Sequence, residues 1–194
     1  MTKFDNEIFI IERAMGGDSE SYGRLIDLYT PSIYNLCFKM LGNAVDAEDA
    51  ASMTFLNGYK NIKKFRGDSE FSTWIYKIAV NICYDVLKKN KKQKKVSNIR
   101  ENADGDDMDY YDITPSNNDV ERQAIAREEL DALNTALSEL PKQYVIAITL
   151  YYMENKSYTE ISEIMNCSMG TTKSRINRGR ENLKKYLENK GNKR

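Results

Sequence analysis

Residues Ser157 to Arg180 read SYTEISEIMNCSMGTTKSRINRGR: a cap, a short helix, a tight turn and a second, basic helix in succession. Ser157 and Glu160 have the spacing of a capping box, in which a hydroxyl and a carboxylate satisfy orphan backbone amides at a helix start. Ile161, Ile164 and Met165 follow on one face. Asn166-Cys167-Ser168-Met169 is a turn, and a second helix begins near Gly170 or Thr171. That helix carries Thr171, Thr172, Lys173, Ser174, Arg175, Asn177, Arg178 and Arg180. This is the helix-turn-helix arrangement. Its residue types suit a duplex: arginine and lysine reach guanine O6 and N7, asparagine pairs with adenine, and serine or threonine contacts bases or phosphates. Charge alone would favour a solvated hairpin with a basic outer face. Cap, turn length and basic second helix together favour DNA.

Upstream, Pro141 opens a helix ending near Tyr152, and residues 120–139 form another with Ile125, Leu130, Leu133 and Leu137 as its apolar positions. Ile75, Ile78, Ala79, Ile82, Cys83, Val86 and Leu87 mark one face of a further helix. An earlier one holds Tyr22, Leu25, Ile26 and Tyr29, and after Pro31 also Ile33, Tyr34, Cys37, Phe38 and Leu41. Gly42-Asn43 stops it, and a new helix runs from about Val45 to Tyr59. Phe65 to Ser72 reads as a loop. No segment alternates as a strand does. The expected fold is all-α.

Within its 194 residues the chain has no histidine, which excludes Ser-His-Asp and Cys-His catalysis, His-ligated zinc and an imidazole switch. Cys37, Cys83 and Cys167 form no C-x-x-C pair and read as reduced, partly buried thiols, so no metal or cofactor is expected. The first eighteen residues lack a signal-peptide core, and no apolar run is long enough to span a bilayer. A cytoplasmic protein, not itself inserted in a membrane, is the expectation.

Net charge is zero, from 29 basic and 29 acidic residues, but the charges are segregated. Residues 1–60 are mildly acidic, Lys88 to Lys95 holds six lysines, residues 101–121 hold eight acids and no base, and residues 168–194 are strongly basic. Such segregation indicates separate surfaces for separate partners. The acidic stretch, with Gly105 and Pro115, has a linker composition and divides the chain into two modules.

Residues 140–187, LPKQYVIAITLYYMENKSYTEISEIMNCSMGTTKSRINRGRENLKKYL, resemble region 4 of the extracytoplasmic-function sigma factors of bacterial RNA polymerase. Residues 18–87 resemble region 2 of the same family in matching order, in LYTPSIYNLCFKMLGNAVDAEDAASMTFLNGYKNIKKF and FRGDSEFSTWIYKIAVNICYDVL. The resemblance implies two small helical domains: a region 2-like bundle over 1–95 and a region 4-like helix-turn-helix over 120–194, joined by a flexible acidic linker over 96–119. It implies a non-enzymatic promoter-specificity subunit whose partners are core RNA polymerase, promoter DNA and an anti-sigma factor, in many members membrane-linked. Clamp binding maps to Asp46, Glu48, Asp49 and Phe55. Ser52-Met53 stand where the family typically has Gln-Glu. Capture of an unpaired base of the −10 element maps to Asn61, Phe65 and Asn81, with Arg66 and Lys77 on phosphates, whereas Phe71 and Trp74 are expected in the core. Reading of the −35 duplex maps to Lys173, Ser174, Asn177 and Arg178, with Thr171 and Arg175 beside them. The linker is either a plain tether or a mimic of nucleic acid. The lysine run either touches phosphates or complements a helix end. The competing reading is a stand-alone regulator that binds duplex DNA as a dimer, its N-terminal module sensing a ligand or dimerising.

Overall fold

The helices begin and end at the residues that local chemistry marks. In a computed structural model of the chain, which describes residues 3–97 and 132–191, α1 spans Lys3–Met15, α2 Ser19–Leu41, α3 Ala44–Asn61 and α4 Phe71–Ser97. Asp18 caps α2 by accepting the Glu20 N–H, and the Ser21 hydroxyl followed by Arg13 holds its carboxyl below the usual range. Gly42, at φ 82, closes α2 with its N–H on the Phe38 carbonyl. Asn43 then caps α3. Pro31 lies inside α2, where it removes one helical N–H. It is exposed, as is Asp27, whose carbonyl loses that donor, and the helix runs on through it.

Beyond the undescribed residues, α5 covers 132–138, α6 Lys142–Ile148, α7 Tyr158–Ile164 and α8 Met169–Gly191. Residues 98 to 131 lie outside the described ones. They hold nearly all of the expected linker and the first part of the helix expected over 120–139. Where the helix opened by Pro141 was expected to continue to near Tyr152, Thr149–Met153 widens into a π turn in which the Glu154 N–H reaches back to the Thr149 carbonyl. No strand occurs among the described residues.

Helices α2, α3 and α4 form the N-terminal core. Ile33, Leu36, Cys37 and Met40 meet Ala47, Ala50 and Ala51, whose small side chains let α3 approach closely, and Ile75, Ala79, Val80 and Cys83 close the third side. The same buried cluster continues without a break into Ile146, Leu150, Ile161, Ile164 and Ile176. The modules are therefore in contact, α7 against α4 and α6 against α2. A smaller cluster of Leu137, Leu140, Val145 and Ile148 lies under α8.

The turn between α7 and α8 is held from inside. The Cys167 N–H bonds the Ser162 carbonyl, and Thr172, fully buried, places its hydroxyl 3.0 Å from Ser162 Oγ and 3.3 Å from Cys167 Sγ. Asn166 takes φ 47, in the left-handed region. Asparagine tolerates that conformation, but a β-branched residue does not. Asn166→Val is expected to lower stability by about 1–2 kcal/mol, read by thermal denaturation, and Asn166→Gly to preserve it.

Candidate nucleic-acid interface

The recognition helix α8 is seated by its buried side. Ile176 is 2% exposed, and a Cβ at Gly179 would lie 2.7 Å from Ile148 Cδ1 and 3.2 Å from Tyr144 Cβ, so only glycine lets α8 lie this close to α6. The Ser168 hydroxyl accepts the Thr171 N–H and so caps the helix. Lys173 and Arg178 are exposed, and Thr171, Ser174, Arg175 and Asn177 are half-buried. Thr171, Ser174, Arg175 and Arg178 share one side of a groove of about 470 Å³, and Gln143 and Tyr144 from α6 form the other. Lys173 and Asn177, four residues apart, stand on a neighbouring ridge. Gln143 and Tyr144 were not foreseen, because nothing near Pro141 in sequence ties them to a helix thirty residues later.

A second groove, of about 580 Å³, runs between α3 and α4. Asn61 and Asn81 meet in it as expected, together with Asn57, Lys64, Ile78 and Asp85. The Asn61 amide donates to the Asn57 carbonyl, which turns the side chain back along its own helix. The aromatic residues exchange their expected places. Phe65, expected on the surface, is 8% exposed and packs edge-on against Phe71 and tilted against Trp74. Trp74, expected in the core with Phe71, is half-buried and lines the groove. The three-residue helical turn Ile62–Lys64 causes this: it brings the chain round so that Phe65 turns inward between its charged neighbours. Arg66 is exposed and Lys77 half-buried, and neither lines the groove.

The third concavity, about 830 Å³ and largely apolar, lies between α2 and α3. Tyr22, Ile26, Tyr34, Phe55, Leu56 and Tyr59 line it with Glu48 and Ser52 at its side. Of the expected acids, Glu48 and Asp49 are exposed. Asp46 is committed elsewhere: its N–H donates to Asn43 Oδ1, and its carboxylate accepts from Asn43 and from Asn90 of α4. It supports the Asn43 cap of α3 and ties that helix to α4. Phe55, expected as a projecting anchor, is 7% exposed and lies at the bottom of the groove, while Val45, Met53, Leu56 and Tyr59 are the exposed apolar side chains of α3. The Tyr22 hydroxyl donates to the Phe55 carbonyl at 2.7 Å, and burial pushes its pKa up to about 12.

Among the described residues no cluster of acids, cysteines or histidines has the arrangement of a metal site, and no helix is long and apolar enough to cross a membrane. Cys37 and Cys83 are buried, and contact with Cys37 together with burial pushes the Cys83 thiol far up.

A chain whose described residues are helical, with a helix-turn-helix at one end and a second helical bundle before it, has as a class the layout of a helix-turn-helix DNA-binding protein. Comparison with known proteins narrows the class. Residues 25–93 match Sigma-70 region 2, and residues 130–183 match Sigma-70, region 4. The chain is 36% identical over 177 residues to the ECF RNA polymerase sigma factor SigW of Bacillus subtilis, covering 91% of this chain and 94% of that protein. It is 31% identical to the RNA polymerase sigma-H factor of Pseudomonas aeruginosa, with 92% of each covered. The sigma factor RpoE of Bartonella quintana, solved with the anti-sigma factor NepR, superposes with a TM-score of 0.68 at 22% identity, covering 87% of this chain and 98% of that one. CnrH, solved with the cytosolic domain of CnrY, gives 0.66 at 18% identity over 93% and 96%. These two show a shared fold. The chain belongs to the ECF sigma factors of RNA polymerase. The reading as a stand-alone dimeric regulator is not favoured.

Proposed function

We propose that this sigma factor holds core polymerase through the α2–α3 groove and divides a promoter between its modules, reading the −35 element with α8 and capturing an opened −10 strand in the α3–α4 groove. The observation that carries this reading is the exposed ridge of α8. Lys173, Ser174, Asn177 and Arg178 supply donors and acceptors to base edges on a helix held rigidly against α6 at Gly179. Thr171 and Arg175 at the flank suit phosphate contacts that set register. In the second groove Trp74 offers a stacking face and Asn61 and Asn81 offer amides, the combination that unpaired bases need. Arg66 and Lys77 lie outside it and suit the backbone. Glu48 beside an apolar groove, with the exposed Asp49 next to it in sequence, suits a basic amphipathic helix of the polymerase.

The protein acts without catalysis of its own, in the cytoplasm, with domains over 1–95 and 120–194. An anti-sigma factor is a further partner, since a solved sigma factor of the same fold was captured with one.

Run-off transcription with purified core polymerase over a promoter library tests the reading. Initiation from a defined subset, dependent on this protein, is expected. A symmetric duplex footprint by the protein alone, with no dependent transcript, would overturn it. On a promoter so found, Arg178→Ala is expected to cost about 1–3 kcal/mol and to relax preference at one −35 position. Unchanged preference in the same assay would remove Arg178 from base reading.

A further inference from the structure

An unengaged amide faces the recognition helix from another element. Gln143 stands in the first turn of α6 and is half-buried, and among the described residues its side chain has no hydrogen bond or ion pair. It lines the groove of about 470 Å³ across from Thr171, Ser174, Arg175 and Arg178. The side chains of Ser174 and Arg178 are likewise unengaged among the described residues. At one end of the groove the Ser168 and Thr171 hydroxyls stand 2.9 Å apart. No carboxylate is among the described residues that line it, whereas the α3–α4 groove holds Asp85. The α6–α8 groove thus offers hydrogen-bond donors and positive charge with nothing negative to meet them. That is the complement of an anionic oxygen.

The shape of a duplex dictates what that oxygen belongs to. The major groove is about 12 Å wide, and an α-helix with its side chains is about 10–12 Å across. With the ridge of Lys173 and Asn177 directed at the bases, the two sugar–phosphate strands run along the flanks of α8. The groove shared with α6 is one of those flanks. We infer that one phosphate of the −35 duplex enters this groove and that Gln143 is its positioning residue, donating its amide from α6 while Thr171 and Arg175 hold the same phosphate from α8. The inference rests on the proposed reading of the −35 element by α8 and deepens it. Contacts from α8 alone leave that helix free to roll about its own axis. A contact from a second element fixes the roll if that element cannot shift, and α6 cannot: a Cβ at Gly179 would already lie 3.2 Å from Tyr144 Cβ. Gln143 thereby sets which side chains of α8 meet base edges without touching a base itself.

The test uses holoenzyme assembled from core polymerase and the full-length chain, on a promoter found by run-off transcription. Gln143→Ala is expected to weaken promoter binding about three- to tenfold on every −35 sequence the wild type accepts, with base preference unchanged. Gln143→Glu sets a like charge against the phosphate and is expected to weaken binding further. Gln143→Lys is expected to restore binding and to steepen its salt dependence by about one counterion. Neutral methylphosphonates, substituted singly along the −35 backbone, locate the contact: at one position the loss is expected to be smaller for Gln143→Ala than for the wild type. A residue that only supported the fold would show neither the lysine rescue nor this departure from additivity. Gln143→Glu with wild-type affinity would overturn the inference. So would equal methylphosphonate losses in wild type and Gln143→Ala at every position, or a changed base preference in Gln143→Ala, which would make the residue a base reader. If altered −35 bases change nothing for any of these proteins, the proposed −35 reading itself fails. If base dependence persists and the Gln143 variants bind as the wild type does, only the phosphate contact fails.

Discussion

Gly58→Ala is expected to destabilise the chain by about 2–4 kcal/mol, although it adds a single methyl group. Gly58 sits inside α3, where alanine would ordinarily gain about 1 kcal/mol of helix propensity. The tertiary surroundings reverse the sign. A Cβ there collides with the Tyr22 hydroxyl and lies 3.0 Å from Ile75 Cδ1. Tyr22 has no room to yield, being 3% exposed, tilted against Tyr59 at 5.1 Å and bonded to the Phe55 carbonyl. Moving it strips the partner from a buried hydroxyl and opens the α2–α3 groove. Chemical denaturation measures the loss, and Tyr22→Phe supplies the control. The double variant is expected to recover part of the Gly58→Ala penalty, because the colliding oxygen is gone. Additive penalties would show that the clash lies elsewhere.

Glu48→Arg is expected to weaken association with core polymerase by about 2–3 kcal/mol, a loss of thirtyfold or more in affinity. Glu48 borders the apolar groove, is exposed and lies away from the cap that engages Asp46, so reversing its sign changes the partner surface without disturbing α3. Asp46→Asn makes the contrast. It removes a charge from the helix start and weakens the tie to Asn90, so its expected effect is on thermal stability rather than on polymerase binding. Pull-down or fluorescence anisotropy with core enzyme reads both. Normal polymerase binding by Glu48→Arg would remove the groove from the polymerase interface. The −35 binding of the same protein checks that its second module is intact.

Asp46 and Glu48, two residues apart in one acidic run, show how far local reading extends. Their positions near a helix start are evident from Asn43 and the apolar spacing that follows. That one is consumed by a cap and by Asn90 while the other faces a groove depends on where α4 returns, more than forty residues later. Phe65 and Trp74 make the same point for the second groove. Each is an aromatic beside polar neighbours, and only the three-dimensional path of the Ile62–Lys64 turn determines which ring is covered.

Caps, helical period, the all-α class, the helix-turn-helix and the family were legible from residues near one another, because a helix is specified within four positions and a cap within three. The outward ridge of α8 followed from the same period. Tertiary structure alone decided what depends on approach between distant segments. It requires glycine at 58 and 179, brings Gln143 and Tyr144 to the recognition helix, and exchanges Phe65 with Trp74. It also packs α7 against α4, joining two modules that, read as sequence, were connected only by a linker. Burial and close packing are properties of pairs of surfaces, and no single stretch of chain contains both members of the pair.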